Sequence, residues 1–303
     1  MPHDTKQRLL EYLNQKFAPV RKLANSQSLF EVGGGARIYV RYSKVHPDGR
    51  TFYGLRKDDI QQLQGHDALL CFLWDTQVEP LLIPFRNFEE VFARLTPASD
   101  GQFKAQVYPA EAGTELYIAN AGRFNVESYF GWNETNTFTE VTGPDDLNRD
   151  LTHSQIQTLL GAIGTRKGFE VWLPRGDRSR MDWSVTDQFQ LGHYSFGTRE
   201  LEEVASEIDV IWARRGSSDI TALFEIEHST PIYSGLLRLN DVRLLMTTST
   251  PRFAIVANDL RRSRFSAQIN RPTFKTSGLS EQCTFLDYAN VFEWHKRIAT
   301  GVS

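Results

Sequence analysis

Three acidic residues interrupt segments that otherwise read as buried strands. Residues 222–230 read ALFEIEHST, with Glu225 and Glu227 among the core-forming Leu223, Phe224 and Ile226, and residues 207–213 read EIDVIWA, with Asp209 between Ile208 and Val210. Side chains alternate along a strand, so Glu225 and Glu227 project from one face while Phe224 and Ile226 project from the other. A hairpin whose turn centres on Ser217 sets position 209 opposite 225, because the two are equally distant from that centre. Directly opposed residues share a face, with Cβ atoms about 4.5–5.5 Å apart. The spacing therefore predicts three carboxylates on one patch, and a one-residue slip would send Asp209 to the other face.

Like charges at that distance repel unless something positive lies among them. A hard divalent cation answers the need: Mg²⁺ takes oxygen ligands and leaves positions for water and substrate phosphates. On this reading Asp209 and Glu225 hold Mg²⁺, with Mn²⁺ as its substitute, and the carbonyl of Ile226 adds a third oxygen. Glu227 then takes a proton from a metal-bound water or binds a second ion. The competing reading is a solvated sheet face, which alternating acids often mark. Against it, the residues flanking the acids are apolar on both strands, and no Lys or Arg alternates with the glutamates.

The elements that must position these residues can be traced along the chain. Leu9, Leu10, Leu13 and Phe17 recur at helical spacing, so a helix opens the sequence. Short β-like runs follow from about 28 to 130, punctuated by turn signals and one helix, NFEEVFARL. They predict a mostly β domain over 1–145 with an amino-terminal helix. Residues 133–150 are poor in core formers and read as a connection. The second domain, 146–303, opens with a helix capped by Thr152 or Ser154 that buries Ile156, Leu159, Leu160 and Ile163. Strand FEVWLP, a polar stretch (175–200) suited to an active-site loop, strands EIDVIWA and ITALFEIE, a helix from Pro231, strand RFAIVAN, a basic helical segment and strand CTFLDY complete it.

An aspartate on one strand and Glu225-Ile226-Glu227 on the next, followed by a helix and another strand, resembles the PD-(D/E)XK nuclease superfamily over about residues 150–290. The resemblance implies an α+β or α/β fold: a restriction-endonuclease-like αβββαβ core with a mixed central sheet. It implies Mg²⁺ on Asp209 and Glu225, with Glu227 standing where the family usually has Lys and Ile208 where it has Pro. It further implies hydrolysis of double-stranded DNA in restriction-modification, by a homodimer if both strands are cut together.

Other residues fit that picture as accessories. His228 and Tyr233 adjoin the acids, Asp177 and Asp182 lie in the polar stretch, and Arg238 is placed to reach a phosphate or to pair with Asp241. Arg261, Arg262, Arg264 and Arg271, interleaved with Phe265 and Phe274, form a basic run suited to phosphate neutralisation or to a solvated helix face. Arg37, Arg41, Arg56 and Lys57 alternate with Tyr39, Tyr42, Phe52 and Tyr53, as a nucleic-acid surface or an ordinary half-exposed strand. The glycines of EVGGGAR lack the strand-to-helix context of a phosphate loop.

Composition bounds the alternatives. A chain of 303 residues with net charge −3 and 40% apolar residues is globular and not basic throughout, so a nucleic-acid surface must be local. Cys71 and Cys283 lie in apolar runs without metal-ligand spacing, and no run approaches a membrane span, so a cytoplasmic protein with reduced thiols is expected. Two further functions stay open: a non-catalytic nucleic-acid-binding protein, and a nuclease switched on by a small ligand sensed in the first domain.

Overall fold

The computed structural model describes residues 2–75, 77–110, 113–138, 151–192, 196–246 and 251–300. The chain forms two compact units, Met1–Ala121 with Val126–Asp145, and Gly122–Asn125 with Asp146–Ser303. Of the connecting stretch expected at 133–150, residues 139–150 lie outside the described residues, and Asn133–Phe138 is a 3₁₀ helix.

In the first unit, α1 (Pro2–Phe17) turns Leu9, Leu13 and Phe17 inward. They pack against Phe30 and Val32 of β2 (Leu29–Val32), Ile38 and Val40 of β3 (Ala36–Ser43), and Leu69, Cys71 and Leu73 from the run ALLCFLW. Each such side chain contributes about 1.5–3 kcal/mol through the apolar area it removes from water. Counting β1 (Val20–Lys22) as the first strand, β4 is Thr51–Arg56, followed by α2 (Lys57–Gln61), β5 (Ala68–Trp74), β6 (Leu81–Pro84), α3 (Glu89–Arg94), β7 (Gln102–Ala110) and β8 (Gly113–Ile118). One sheet runs β1-β2-β3-β5-β6, and its β3–β5 pairing is parallel; β4, β7 and β8 pair antiparallel in the order β8-β7-β4. Among the described residues β3–β5 is the one parallel pairing of this unit and its other five pairings are antiparallel, so the mostly β module is mostly antiparallel. Strands β3 and β4 are not ladder partners; they meet through the Phe52 N–H donating to Ser43 Oγ and the Arg56 N–H donating to the Tyr39 hydroxyl, each at 3.0 Å.

The second unit contains β9 (Gly122–Asn125), α4 (His153–Arg166), β10 (Glu170–Trp172), α5 (Arg199–Ala205), β11 (Val210–Ala213) and β12 (Ile220–Ile226). It continues with α6 (Ile232–Leu245), β13 (Arg252–Ala257), α7 (Arg262–Ile269), α8 (Pro272–Ser277), β14 (Cys283–Asp287) and α9 (Tyr288–Ala299). Strand order is β10-β11-β12-β13-β14-β9, antiparallel from β10 to β12 and parallel from β12 to β9. The parallel strands are buried along almost their whole length, which is why FAIVA and CTFLD read as continuous apolar runs rather than alternating ones. The fold is therefore α+β with mixed sheets.

Helix α4 begins where its capping box dictates. Thr152 Oγ1 accepts the Gln155 N–H at 3.2 Å, and Gln155 Oε1 accepts the Thr152 N–H at 2.9 Å. Ile156, Leu159, Leu160 and Ile163 are all fully buried. Gly164 lets the helix lie close on β11, since a Cβ there would sit 2.5 Å from Trp212 Nε1, which itself donates to the Leu160 carbonyl at 3.2 Å. No helix among the described residues is long and apolar enough to cross a membrane.

Candidate active site

The β11–β12 hairpin has the register read from the sequence. Val210 faces Phe224 and Ile211 faces Leu223, so one step further along the ladder Asp209 stands across from Glu225. The irregularity lies toward the turn, between Trp212 and Ala213, and leaves the acidic end in phase. Asp209 Oδ2 accepts the Ile226 N–H at 2.7 Å, which fixes the carboxylate at the mouth of the two strands. The Glu227 N–H continues the parallel ladder to the Val256 carbonyl at 2.8 Å.

Glu225 and Glu227 have fully buried side chains, and the positive charge beside them is Arg238 of α6. Arg238 Nε donates to Glu225 Oε1 at 3.0 Å, Nη2 donates to Glu225 Oε2, and Nη2 lies 3.5 Å from Glu227 Oε1. Thr230 Oγ1 donates to the other Glu227 oxygen. Gly235, one turn before Arg238, makes this approach possible: a Cβ there would lie 2.4 Å from Glu227 Oε1 and 3.2 Å from Glu225 Cβ. The Glu225 carboxyl is pushed up to about 8: burial raises it most, Arg238 opposes that rise, and the charges of Asp209 and Glu227 add to it. Pairing with Glu225 raises Arg238 further above the ordinary arginine value, so the guanidinium stays charged.

Asp209 also faces a second group. His153, the first residue of α4, places Nε2 3.4 Å from Asp209 Oδ1, and Asp177 completes a set whose ligand atoms all lie within 4.8 Å of one another. Gln157, one helical turn beyond His153, is buried and ties the set together. Its Nε2 donates to Asp177 Oδ2 at 3.1 Å and to the Asp209 carbonyl at 2.9 Å. Hydrogen bonding to Asp209 raises the His153 pKa against the opposing effect of burial. A cleft of about 910 Å³ is lined by Asp177, Asp209 and Arg238 together with Arg175, Arg178 and Arg180.

This geometry redistributes the roles expected from sequence. The side chains gathered around Asp209 that could hold an ion with it are His153 and Asp177, whereas Glu225 and Glu227 are buried and bonded to Arg238 and Thr230. Arg238 pairs with the two glutamates rather than with Asp241, because α6 lies against β12 and turns that face inward. Arg262 is corrected outright as a nucleic-acid contact: it is 1% exposed and paired with Asp287 at 2.7 Å, so it has no route to a phosphate. Arg261 clamps the segment after β12 by donating to the Glu227, His228 and Thr230 carbonyls. Arg264 and Arg271 are exposed, and Arg271 lies 4.7 Å over the Tyr233 ring. His228 is exposed, with Nδ1 3.1 Å from the Tyr288 hydroxyl.

In the first unit, Arg56 and Lys57 are exposed, while Arg37 is half-buried and donates to the Gln62 carbonyl. Arg41 donates to Ser28 Oγ at 3.2 Å. Tyr39 and Tyr53 are buried, their hydroxyls bonded to the Arg56 N–H and the Leu73 carbonyl, so neither ring is free to stack on a base. Sequence reading passed over His153 and Gln157. The available signal was a polar pair four apart on the first turns of an otherwise apolar helix, which puts both on one face.

Comparison with known proteins agrees with this region. A family model described as the type II restriction enzyme NmeDI C-terminal domain matches residues 137–300. The type II restriction enzyme NmeDI of Neisseria meningitidis serogroup C is 33% identical over 174 residues, covering 54% of this chain and 48% of that protein. The chain thus spans about half the length of the curated relative it matches. No solved structure matches.

Proposed function

The chain belongs to the NmeDI C-terminal-domain family of type II restriction enzymes and is restriction-endonuclease-like; from that premise we propose that it is a divalent-metal-dependent endonuclease that hydrolyses phosphodiester bonds of double-stranded DNA at the Asp209 cleft. One observation carries the proposal. Asp209 stands at a strand mouth with His153 and Asp177 on one side and the Glu225–Arg238 pair on the other, all within one unit. The order α4-β10-α5-β11-β12-α6-β13 supports an αβββαβ restriction-endonuclease core with α5 inserted between its first two strands.

The donor set suits a divalent ion. Two carboxylates and an imidazole converge; Gln157 orients the Asp177 carboxylate, as outer hydrogen bonds fix metal ligands, and holds the Asp209 backbone carbonyl, while the Ile226 N–H fixes the Asp209 carboxylate. His153, Asp177 and Asp209 would hold the ion. The carboxylates suit Mg²⁺ or Mn²⁺, and the imidazole nitrogen also admits a later transition ion. Such an ion supplies Lewis-acid charge for a phosphate and lowers the pKa of water.

The chain's own groups do the rest. Arg238 reaches the cleft while touching both buried glutamates, so its planar guanidinium is positioned to meet a phosphate oxygen as charge develops there. Glu225 and Glu227 hold that guanidinium in place, and Thr230 and Gly235 fix Glu227. The first unit, with Arg56 and Lys57 exposed, is assigned to DNA recognition, and a homodimer would present two such sites to a palindrome.

The test is cleavage of supercoiled plasmid DNA with Mg²⁺ or Mn²⁺. The proposal expects nicked or linear product that EDTA and Asp209→Asn each abolish. Binding without cutting across metals and substrates would assign the chain to the non-catalytic class instead.

A further inference from the structure

The first unit gathers three cations over a single turn. Lys6 of α1 donates Nζ to the Gln27 carbonyl at 3.1 Å, Lys22 at the end of β1 donates to Gln27 Oε1 at 2.6 Å, and Arg41 of β3 donates Nη1 to Ser28 Oγ at 3.2 Å. The turn is built by Ser26, whose Oγ accepts the N–H groups of Ser28 and Leu29, each at 3.1 Å.

Among the described residues, the groups these cations bond to or lie over are neutral. Besides the Gln27 and Ser28 oxygens, Lys6 lies 5.0 Å over the Phe30 ring and Arg41 lies 5.8 Å over Tyr39. Among the described residues none of the three forms an ion pair, whereas Arg50, Arg94 and Lys104 of the same unit each have a carboxylate partner. The arrangement is repulsive. Burial lowers the Lys6 pKa, and the charges of Lys22 and Arg41 lower it further. Arg41 Nε is also buried without a hydrogen-bond partner. An ammonium has three donors and a guanidinium five, so each side chain keeps donors beyond the one it gives the turn.

We propose that Lys6, Lys22 and Arg41 over the 26–28 turn form a phosphate-binding site. A phosphate offers several acceptor oxygens and the negative charge that relieves the repulsion, and Lys and Arg are the side chains that bind it. Its source is either the backbone of a nucleic acid or a free phosphate such as that of a nucleotide. The site stands apart from the catalytic reading and survives that reading's failure.

The experiment uses the full chain in EDTA, so that cleavage plays no part, and compares wild type with Lys22→Gln and with Lys6→Gln/Lys22→Gln. Lys22 is exposed, so its single variant keeps the fold. One arm measures thermal unfolding in inorganic phosphate against chloride at equal ionic strength; the other measures binding of a short DNA duplex by fluorescence anisotropy across a salt series. If free phosphate is the source, phosphate raises the wild-type Tm and the rise is lost in the variants, with duplex binding unchanged. If the nucleic-acid backbone is the source, the variants weaken duplex binding and flatten the slope of log K against log salt by about 1 per lost phosphate contact. Wild type and both variants indistinguishable in both arms overturns the proposal.

Discussion

Two arginine–carboxylate pairs of the same sheet differ in how they meet solvent. The side chains of Arg262 and Asp287 are each 2% exposed, and Asp287 Oδ1 also caps α9 by accepting the Asn290 N–H at 2.9 Å. In the other pair Glu225 is 0% exposed while Arg238 is 39% exposed and lines the cleft. A pair closed on both sides can only hold elements together. A pair open on its cationic side keeps a charge available to something that enters. The first is structural, joining α7 to the start of α9; the second links a buried acid to the space where Asp209 sits.

Mutation should separate the two. Arg262→Ala leaves the buried Asp287 without its partner, and breaking one side of such a pair costs about 3–5 kcal/mol; urea unfolding should show that loss. Activity per folded molecule should be retained. Arg238→Ala should do the reverse, lowering cleavage by about 10²–10³-fold, the scale of removing a charge-stabilising donor. Its stability cost should be smaller, because Glu225, already pushed up to about 8, can take a proton. Equal stability losses in the two variants would erase the distinction.

Gly235→Ala sharpens the comparison from the other side of the open pair. Its methyl would meet Glu227 Oε1 at 2.4 Å and Ile255 Cδ1 at 3.1 Å, so overpacking should cost about 1–3 kcal/mol. The same shift should displace Arg238 and reduce cleavage. An active, fully stable Gly235→Ala protein would show that α6 does not hold the pair as described.

The smallest effect lies on α9, the helix capped by the closed pair. Burial first, then the charge of Arg166, lowers the His295 pKa below its ordinary value of 6.5. The folded state thus favours the neutral ring, and this contribution is complete above the unfolded pKa and lost as pH falls through and below it. Acid unfolding near pH 6 should be less steep in His295→Gln, by well under about 1 kcal/mol. An unchanged profile would place the acid sensitivity elsewhere.

The differences between sequence reading and structure have local and tertiary origins. The Asp209–Glu225 register was legible because a short hairpin fixes it through its own turn, and the capping box and apolar stripe of α4 are equally local. Arg262 was misread because basic residues were counted along the run; by helical spacing it shares a face with Phe265, Ser266 and Ile269, all buried. His153 and Asp177 meet Asp209 only when α4 and the segment after β10 fold back toward the strand mouth, an approach that no short-range pattern records.

The most direct test of the central claim is anomalous diffraction from crystals soaked in Mn²⁺. The account predicts a peak within coordinating distance of the Asp209 carboxylate, bounded by His153 and Asp177, that disappears in Asp209→Asn crystals. An active enzyme whose Mn²⁺ peak lies away from Asp209, or survives that substitution unchanged, would contradict it.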